Sequence, residues 1–275
     1  MSQVWLITGS SRGLGHAFAE AALKAENRVV ATARHIESLQ PLKDKFGDRV
    51  LTLQLDVTDE TQASYVVRTT IDAFGELDVL VNNAGYGNVA PVEETSLQEF
   101  REQIETNLFG VIIMTKAVLT YFRERKAGRI FQISSIGGRI GPIGRAPYAA
   151  AKFGMEGFSE SLAREVGPLG IHVTIVEPGG FRTDFAGSSA TLRTGDPDYD
   201  ATVGQVVRFQ RNFDGKQPGH PAKAASVLLE LALSDEPPLR ILLGRDAYEA
   251  AEKNDEARLA LTRQFKMLSL STDFS

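Results

Sequence analysis

Ser135, Tyr148 and Lys152 have the residue types and the spacing needed to move a proton onto or off a reacting oxygen. Tyr148 and Lys152 stand four positions apart, which on a helix puts them on one face and brings the ammonium beside the phenol. A phenol ordinarily titrates near pH ~10, and a neighbouring positive charge favours phenolate, so the pair suits general acid or base work nearer neutrality. Ser135 lies thirteen residues before Tyr148 (148 minus 135), just after the strand-like run 129–133, where its hydroxyl can be offered to the same oxygen. A Tyr-x-x-x-Lys step also describes a solvated helix face, so its meaning depends on the elements around it.

Those elements alternate. Short apolar runs at 4–8, 28–32, 50–55, 79–81, 130–133, 173–176 and 241–243 read as buried strands, and 15–24, 61–74, 97–126, 147–166 and 221–233 read as helices between them. The pattern predicts an α/β protein with a three-layer, doubly wound Rossmann fold and a mainly parallel seven-stranded sheet, in a single domain over 1–275. Two segments break the alternation. Residues 184–220 are rich in Gly, Asp, Ser and Arg, with Phe185, Leu192, Val206, Val207, Phe209 and Phe213 scattered among them. They follow the sixth strand, where an open α/β sheet places its ligand, so a substrate loop is expected there. Residues 245–275 read as a C-terminal helical extension, begun by a capping-box-like Asp246 and Glu249. Its intermittent apolar face includes Tyr248, Ala251, Leu259 and Phe265. Packing on its own core is the expected arrangement, with another subunit as the alternative.

The first strand runs into Thr8-Gly9-Ser10-Ser11-Arg12-Gly13-Leu14-Gly15, ahead of a helix. Such glycines let the backbone turn tightly against a pyrophosphate, and the free amides at a helix start attract its charge. The spacing is G-x-x-x-G-x-G rather than the general G-x-G-x-x-G dinucleotide fingerprint. At the end of the second strand an acid usually holds the adenosine ribose hydroxyls, whereas arginine accommodates a 2'-phosphate. Here Ala33 is followed by Arg34, and Arg12 can add a second guanidinium, so NADP(H) is expected in preference to NAD(H). Asp56 can accept a hydrogen bond from an adenine amino group or can cap a helix. Asn83, Ala84 and Gly85 supply amide and small residues where the sheet must approach a cofactor closely.

Composition narrows the partners. The 275 residues carry a net charge of -5, which argues against nucleic acid or an anionic membrane as the main partner and favours a small molecule. No run approaches the ~18 apolar residues of a membrane span. There is no cysteine, which excludes disulfides and thiol nucleophiles, and the four histidines are scattered with no metal-ligand spacing, so no metal is expected. A strand-like run from Val4 leads to the expectation of a cytoplasmic protein.

With these motifs in this order, the sequence resembles the short-chain dehydrogenase/reductase family in its shorter, single-domain branch. The resemblance rests on Thr8 to Gly15, Asn82 to Gly85, Ser135, Tyr148 with Lys152, and Pro178-Gly179, and covers most of the chain. It implies that Tyr148 is the acid/base, that Ser135 polarises the substrate oxygen, and that Lys152 bonds the nicotinamide ribose while lowering the tyrosine pKa. Asn107 matches a fourth catalytic position that holds a water between the lysine and solvent. Pro178, Gly179 and Thr183 match the nicotinamide side of the cofactor site. The implied activity is an NADP(H)-dependent carbonyl reductase or alcohol dehydrogenase acting on a moderately apolar ketone or secondary alcohol, as a homo-dimer or homo-tetramer. A non-catalytic NADP(H)-binding regulator on the same fold is the alternative, and the intact set of four catalytic residues argues against it.

Overall fold

In the first strand, β1 (Val4–Ile7), Val4 and Leu6 turn to one side and Trp5 and Ile7 to the other, and all four are buried. A strand covered on both faces needs a helical layer on each side. The computed structural model describes residues 2–274 apart from Ala186, Ser188 and Ser189, and it supplies both layers. After β1 come α1 (Gly13–Lys24), β2 (Arg28–Ala33), α2 (Gln40–Phe46), β3 (Val50–Gln54), α3 (Glu60–Phe74) and β4 (Val79–Asn82). The second half runs α4 (Leu97–Ile104), α5 (Gly110–Arg125), β5 (Gly128–Ile133), α6 (Ala146–Val166), β6 (Ile171–Pro178), α7 (Gln205–Phe213), α8 (Pro221–Leu233), β7 (Arg240–Leu243), α9 (Arg245–Gln264) and α10 (Lys266–Leu270).

The seven strands form one sheet in the order β3-β2-β1-β4-β5-β6-β7, with every neighbouring pair parallel. On one face Phe18 and Leu23 of α1 and Ala224 and Leu228 of α8 cover Trp5, Ile7, Val81 and Phe131. On the other, Val66 of α3, Met114, Val118 and Phe122 of α5 and Leu162 of α6 cover Val4, Leu6, Leu80 and Ile130. The expected doubly wound α/β fold is therefore present. The chain winds outward in one direction from β1 to β3 and in the other from β4 to β7, so the strand order reverses between β1 and β4.

Three departures from the expected elements have physical causes. The helix expected over 97–126 is divided: α4 ends at Ile104, a π-helical turn spans Glu105–Phe109, and α5 begins at Gly110. The wide turn holds Asn107 and lets its amide leave the helix ladder for another segment, as such bulges commonly do at functional positions. The helix before the third crossover is capped by Asp59, which accepts from the Thr61 and Gln62 amides, so Asp56 is not the cap. The C-terminal extension packs on the fold only through its first turns, where Ala247 and Ala251, four apart, are buried. From Asp255 onward every described residue is exposed, including Leu259, Phe265, Met267 and Leu268. A helix of this length reaches about 30 Å at 1.5 Å per residue, and only its first part has anything packed against it. Its expected cap is also absent: Gly244 occupies the N-cap position with no side-chain bond, and Asp246 is engaged elsewhere.

Phe122 is among the largest fully buried side chains and fills the layer between α5 and the sheet. Phe122→Ala should cost about 3–5 kcal/mol. The expected readout is a lower denaturant midpoint with an unchanged slope.

Candidate active site

The carboxyl ends of the strands open onto one cavity of about 690 Å³, within the range of small-molecule sites. Gly9 and Ser11 to Leu14 after β1 line it, as do Ala33 and Arg34 at the end of β2, Asp56 after β3, Asn83 to Tyr86 after β4, Ser135 after β5, and Pro178 to Phe181, Thr183 and Asp184 at the end of β6. From the insertion come Phe185 and, on α7, Val206, Phe209, Gln210 and Phe213. The insertion thus contributes side chains to the cavity wall; 186 and 188–189 within it lie outside the described residues.

At one end is the glycine turn. Arg12 is the N-cap of α1, and its side chain makes no capping bond, so the first amides of the helix are left for a ligand. Gly9 and Gly13 take positive φ values of 67° and 60°, which lets the chain double back at this point. Gly15 does not line the cavity but is needed beneath it: a Cβ there would fall 2.4 Å from both the Gly9 carbonyl oxygen and Asn83 Nδ2. Asn83 Nδ2 donates to the carbonyls of Thr8 (2.9 Å) and Gly9 (3.1 Å), and Thr8 Oγ1 accepts from the amides of Asn83 (2.9 Å) and Ala84 (3.0 Å). Arg12 and Arg34 both border this end, and neither has an ion-pair partner among the described residues. The Asp56 carboxylate accepts from the amide and hydroxyl of Thr58 at 3.0 and 2.7 Å, which fixes its orientation at the wall.

At the other end are Ser135, Tyr148 and Lys152. Tyr148 and Lys152 lie on α6 and are both buried. Burial is the largest influence on the Tyr148 phenol and pushes its pKa up, while a hydrogen bond with Ser135 and the charge of Arg145 pull it down. Ser135 Oγ also accepts from the Gly137 amide at 3.0 Å, which holds the hydroxyl in place. Burial lowers Lys152 from its usual 10.5 to about 8, opposed by Glu156 one turn further along α6. Its Nζ donates to the Ile133 carbonyl at 2.6 Å and lies 5.8 Å from the centre of the Tyr148 ring. A second cation stands at a similar distance: the Arg145 guanidinium carbon lies 6.0 Å from the same ring centre, and its charge adds to the pull on the phenol.

Asn107 is fully buried behind the wall. Its Oδ1 accepts from the Tyr86 amide (3.0 Å) and its Nδ2 donates to the Tyr86 carbonyl (2.7 Å), so it fixes the segment after β4. Pro178 ends β6, and the amide of Gly179 donates to the Leu243 carbonyl at 2.9 Å. Thr183 packs beside Gly13, so the β6 segment closes over the glycine turn. Sequence reasoning missed two residues here. Asp246 accepts from the Gly180 amide at 2.7 Å and holds the turn after β6 in place, and Arg145 enters the cavity beside Tyr148. An acid following a strand-and-glycine step signals the first, but an arginine before a helix carries no comparable signal.

Behind the cavity, Glu177 of β6 is fully buried between Arg139 (3.2 Å) and Arg240 (3.6 Å). Its neighbour Glu156 accepts from the Ser134 hydroxyl at 2.7 Å and from Arg240. Burial first, and then the Glu156 charge, push Glu177 from 4.5 up to about 7.

A parallel sheet whose order reverses above a glycine turn, with open helix amides and a ligand-sized cavity, defines a dinucleotide-binding α/β protein. Residues 3–193 match the short chain dehydrogenase family. Over 273 residues the chain is 47% identical to the oxidoreductase BOA17 of Botryotinia fuckeliana, covering 99% of this chain and 100% of that protein. A short-chain dehydrogenase from Streptomyces avermitilis superposes with a TM-score of 0.92 at 39% identity, over 99% of this chain and 98% of its own. ElxO, solved with NADP bound, gives a TM-score of 0.74 at 28% identity, over 88% and 97%. The chain belongs to the short-chain dehydrogenase/reductase family and is an oxidoreductase of the kind that uses a nicotinamide cofactor.

A carboxyl whose pKa rises on folding contributes stability that is complete below its unfolded value and lost as pH rises through the folded one. For Glu177 that window runs from about 4.5 to about 7. Glu177→Gln resembles the protonated acid and removes this loss. Denaturant unfolding at pH 5 and pH 8 should therefore show the variant gaining on the wild type at the higher pH; a constant difference would contradict the assignment.

Proposed function

We propose that the protein is an NADP(H)-dependent carbonyl reductase, reversible as an alcohol dehydrogenase, acting on a ketone or secondary alcohol with an apolar body. The observation that carries the reading is the convergence of Tyr148 and Ser135 in one cavity with an open helix N-terminus and two unpaired arginines at its far end.

The chain fits a dinucleotide. The uncapped amides of α1 suit a pyrophosphate, Gly9 and Gly15 leave no room for a side chain, Gly13 turns the chain with a φ of 60°, and Arg12 and Arg34 suit a 2'-phosphate. Asp56 stands where an adenine amino group would donate, and Pro178, Gly179 and Thr183 wall the nicotinamide end. When bound, the cofactor supplies hydride transfer to or from carbon.

In reduction, Tyr148 gives the proton to the oxygen, and in oxidation it takes that proton back. Ser135 donates to the same oxygen and holds it at the phenol. Lys152, anchored by the Ile133 carbonyl, reaches the ribose and repels the proton on Tyr148 electrostatically. Asn107 positions the Tyr86 wall, and its amide still has a second hydrogen and a second lone pair with which to hold a water toward Lys152. Phe185, Val206, Phe209 and Phe213 give the substrate end an apolar lining. The reading includes one domain, a cytoplasmic setting and a homo-oligomer; exposed Phe109 beside α5 and Phe153 on α6 support contacts through those helices.

Two measurements test this reading. Tyr148→Phe should lower the turnover of ketones by about 10²–10⁴-fold, followed as NADPH absorbance. A fully active variant, or a wild type that reduces no carbonyl in a broad panel, would refute it. Arg34→Ala should weaken NADPH binding by about 10- to 100-fold and leave NADH binding nearly unchanged. Equal losses for both would remove Arg34 from the 2'-phosphate site.

A further inference from the structure

Arg145 is the N-cap of the helix that carries Tyr148, and it stands three residues ahead of it (148 minus 145). Its guanidinium carbon lies 6.0 Å from the centre of the Tyr148 ring, inside the cavity wall. Gly87 makes the room: a Cβ there would fall 3.0 Å from Arg145 Nη1, 3.0 Å from Tyr148 Cδ2 and 3.3 Å from Phe185 Cζ. Four residues from three segments, Gly87, Arg145 with Tyr148, and Phe185, therefore meet at one point beside the phenol.

Among the described residues, the hydrogen-bond acceptors of this guanidinium are neutral. Nη2 donates to Gln210 Oε1 on α7, and Nη1 approaches the Gly87 carbonyl at 3.5 Å. Burial lowers its pKa, and Tyr148 is its one electrostatic partner. Among the described residues no carboxylate pairs with it. Arg28, Arg125, Arg139 and Arg240, also part-buried, each meet a carboxylate at 2.7 to 3.2 Å; Arg129 lacks one but does not line the cavity, and its Nη1 donates to the Leu231 carbonyl. Removing a guanidinium from water without a counter-ion is costly, and its five N–H donors are only partly used here. A fork of this kind is matched by a carboxylate, which takes two parallel N–H bonds.

We propose that Arg145 binds a carboxylate on the substrate, so that the substrate is an apolar oxo acid, or the corresponding hydroxy acid, whose carboxylate lies near the reacting carbonyl. This rests on the reductase reading above and narrows it. With the oxo oxygen at Tyr148 and Ser135 and the carboxylate at Arg145, the substrate body lies against Phe185, Val206 and Phe209. Gln210 and Gly87 hold the fork in its plane on either side.

The test compares benzoylformate and benzoylpropionate with their methyl esters, as kcat/KM ratios of acid to ester. The wild type should favour the acids. Arg145→Leu should lower the ratio by about 10- to 100-fold, and Arg145→Lys, which keeps the charge but not the fork, should retain part of it. Any effect of Arg145 on the Tyr148 phenol acts on acid and ester alike and cancels in the ratio. In parallel, the NADPH-loaded protein is titrated calorimetrically with benzoate and with benzamide; benzoate should bind tighter to the wild type and lose that advantage in Arg145→Leu. Ester reduction with an unchanged ratio and no preference for benzoate overturns the carboxylate site and leaves the reductase standing. A preference for benzoate that Arg145→Leu abolishes, with no carbonyl reduced, supports the site and overturns the reductase.

Discussion

The hydrogen bonds that tie the end of β1 to the end of β4 hold the working part of this molecule together. Thr8 Oγ1 receives the amides of Asn83 and Ala84, and Asn83 returns its side-chain amide to the carbonyls of Thr8 and Gly9. The strand order reverses here, so the helices that follow β1 and β4 leave toward opposite faces and a crevice opens between them. Without the tie, two loops would border that crevice independently. With it, the glycine turn and the Asn83-Ala84-Gly85 step form one rigid rim, and Gly15 gives Asn83 the space to reach across.

The fold distributes its charges in two ways. Behind the strand ends, Glu156, Glu160 and Glu177 are matched by Arg139 and Arg240, and Arg139 continues to Asp255 on α9. The two arginines serve more carboxylates than they can neutralise, and the excess falls on buried Glu177, whose pKa rises to about 7. At the cavity wall the pattern reverses. Arg12, Arg34 and Arg145 face the cavity with no ion-pair partner among the described residues, although Asp56 and Asp184 also line it, and Lys152 is held by a backbone carbonyl. Positive charge left unmatched at a concave surface raises the local concentration of anions and strengthens their contacts in a water-poor space.

Much of this was legible in the sequence because it is encoded in local patterns. Seven apolar runs became seven strands, and the glycine turn, Ser135, Tyr148 and Lys152 all reached one cavity. What escaped depends on contacts between distant segments. The 97–126 stretch has an unbroken helical pattern, and only the backbone of Tyr86, twenty-one residues before Asn107, explains why its ladder opens into a π turn. Asp56 and Asp59 are equally plausible caps by type, and the choice is made by which carboxylate meets the Thr61 and Gln62 amides. Asp246 has the look of a helix cap but serves Gly180 in the loop after β6. The tail carries apolar residues that suggest burial, yet only its first part has anything packed against it. Arg145 has no motif, and its position follows from the absence of a side chain at Gly87.

Loops from six of the seven strands border the one cavity, which has a consequence for the lifetime of the protein. A molecule seated there touches both halves of the sheet at once, and the unfolded chain offers it no equivalent site. Occupancy is therefore linked to the global equilibrium, adding about 2.7 kcal/mol when the free ligand stands at a hundred times its dissociation constant. Resistance to proteolysis through global unfolding then rises with the supply of that ligand.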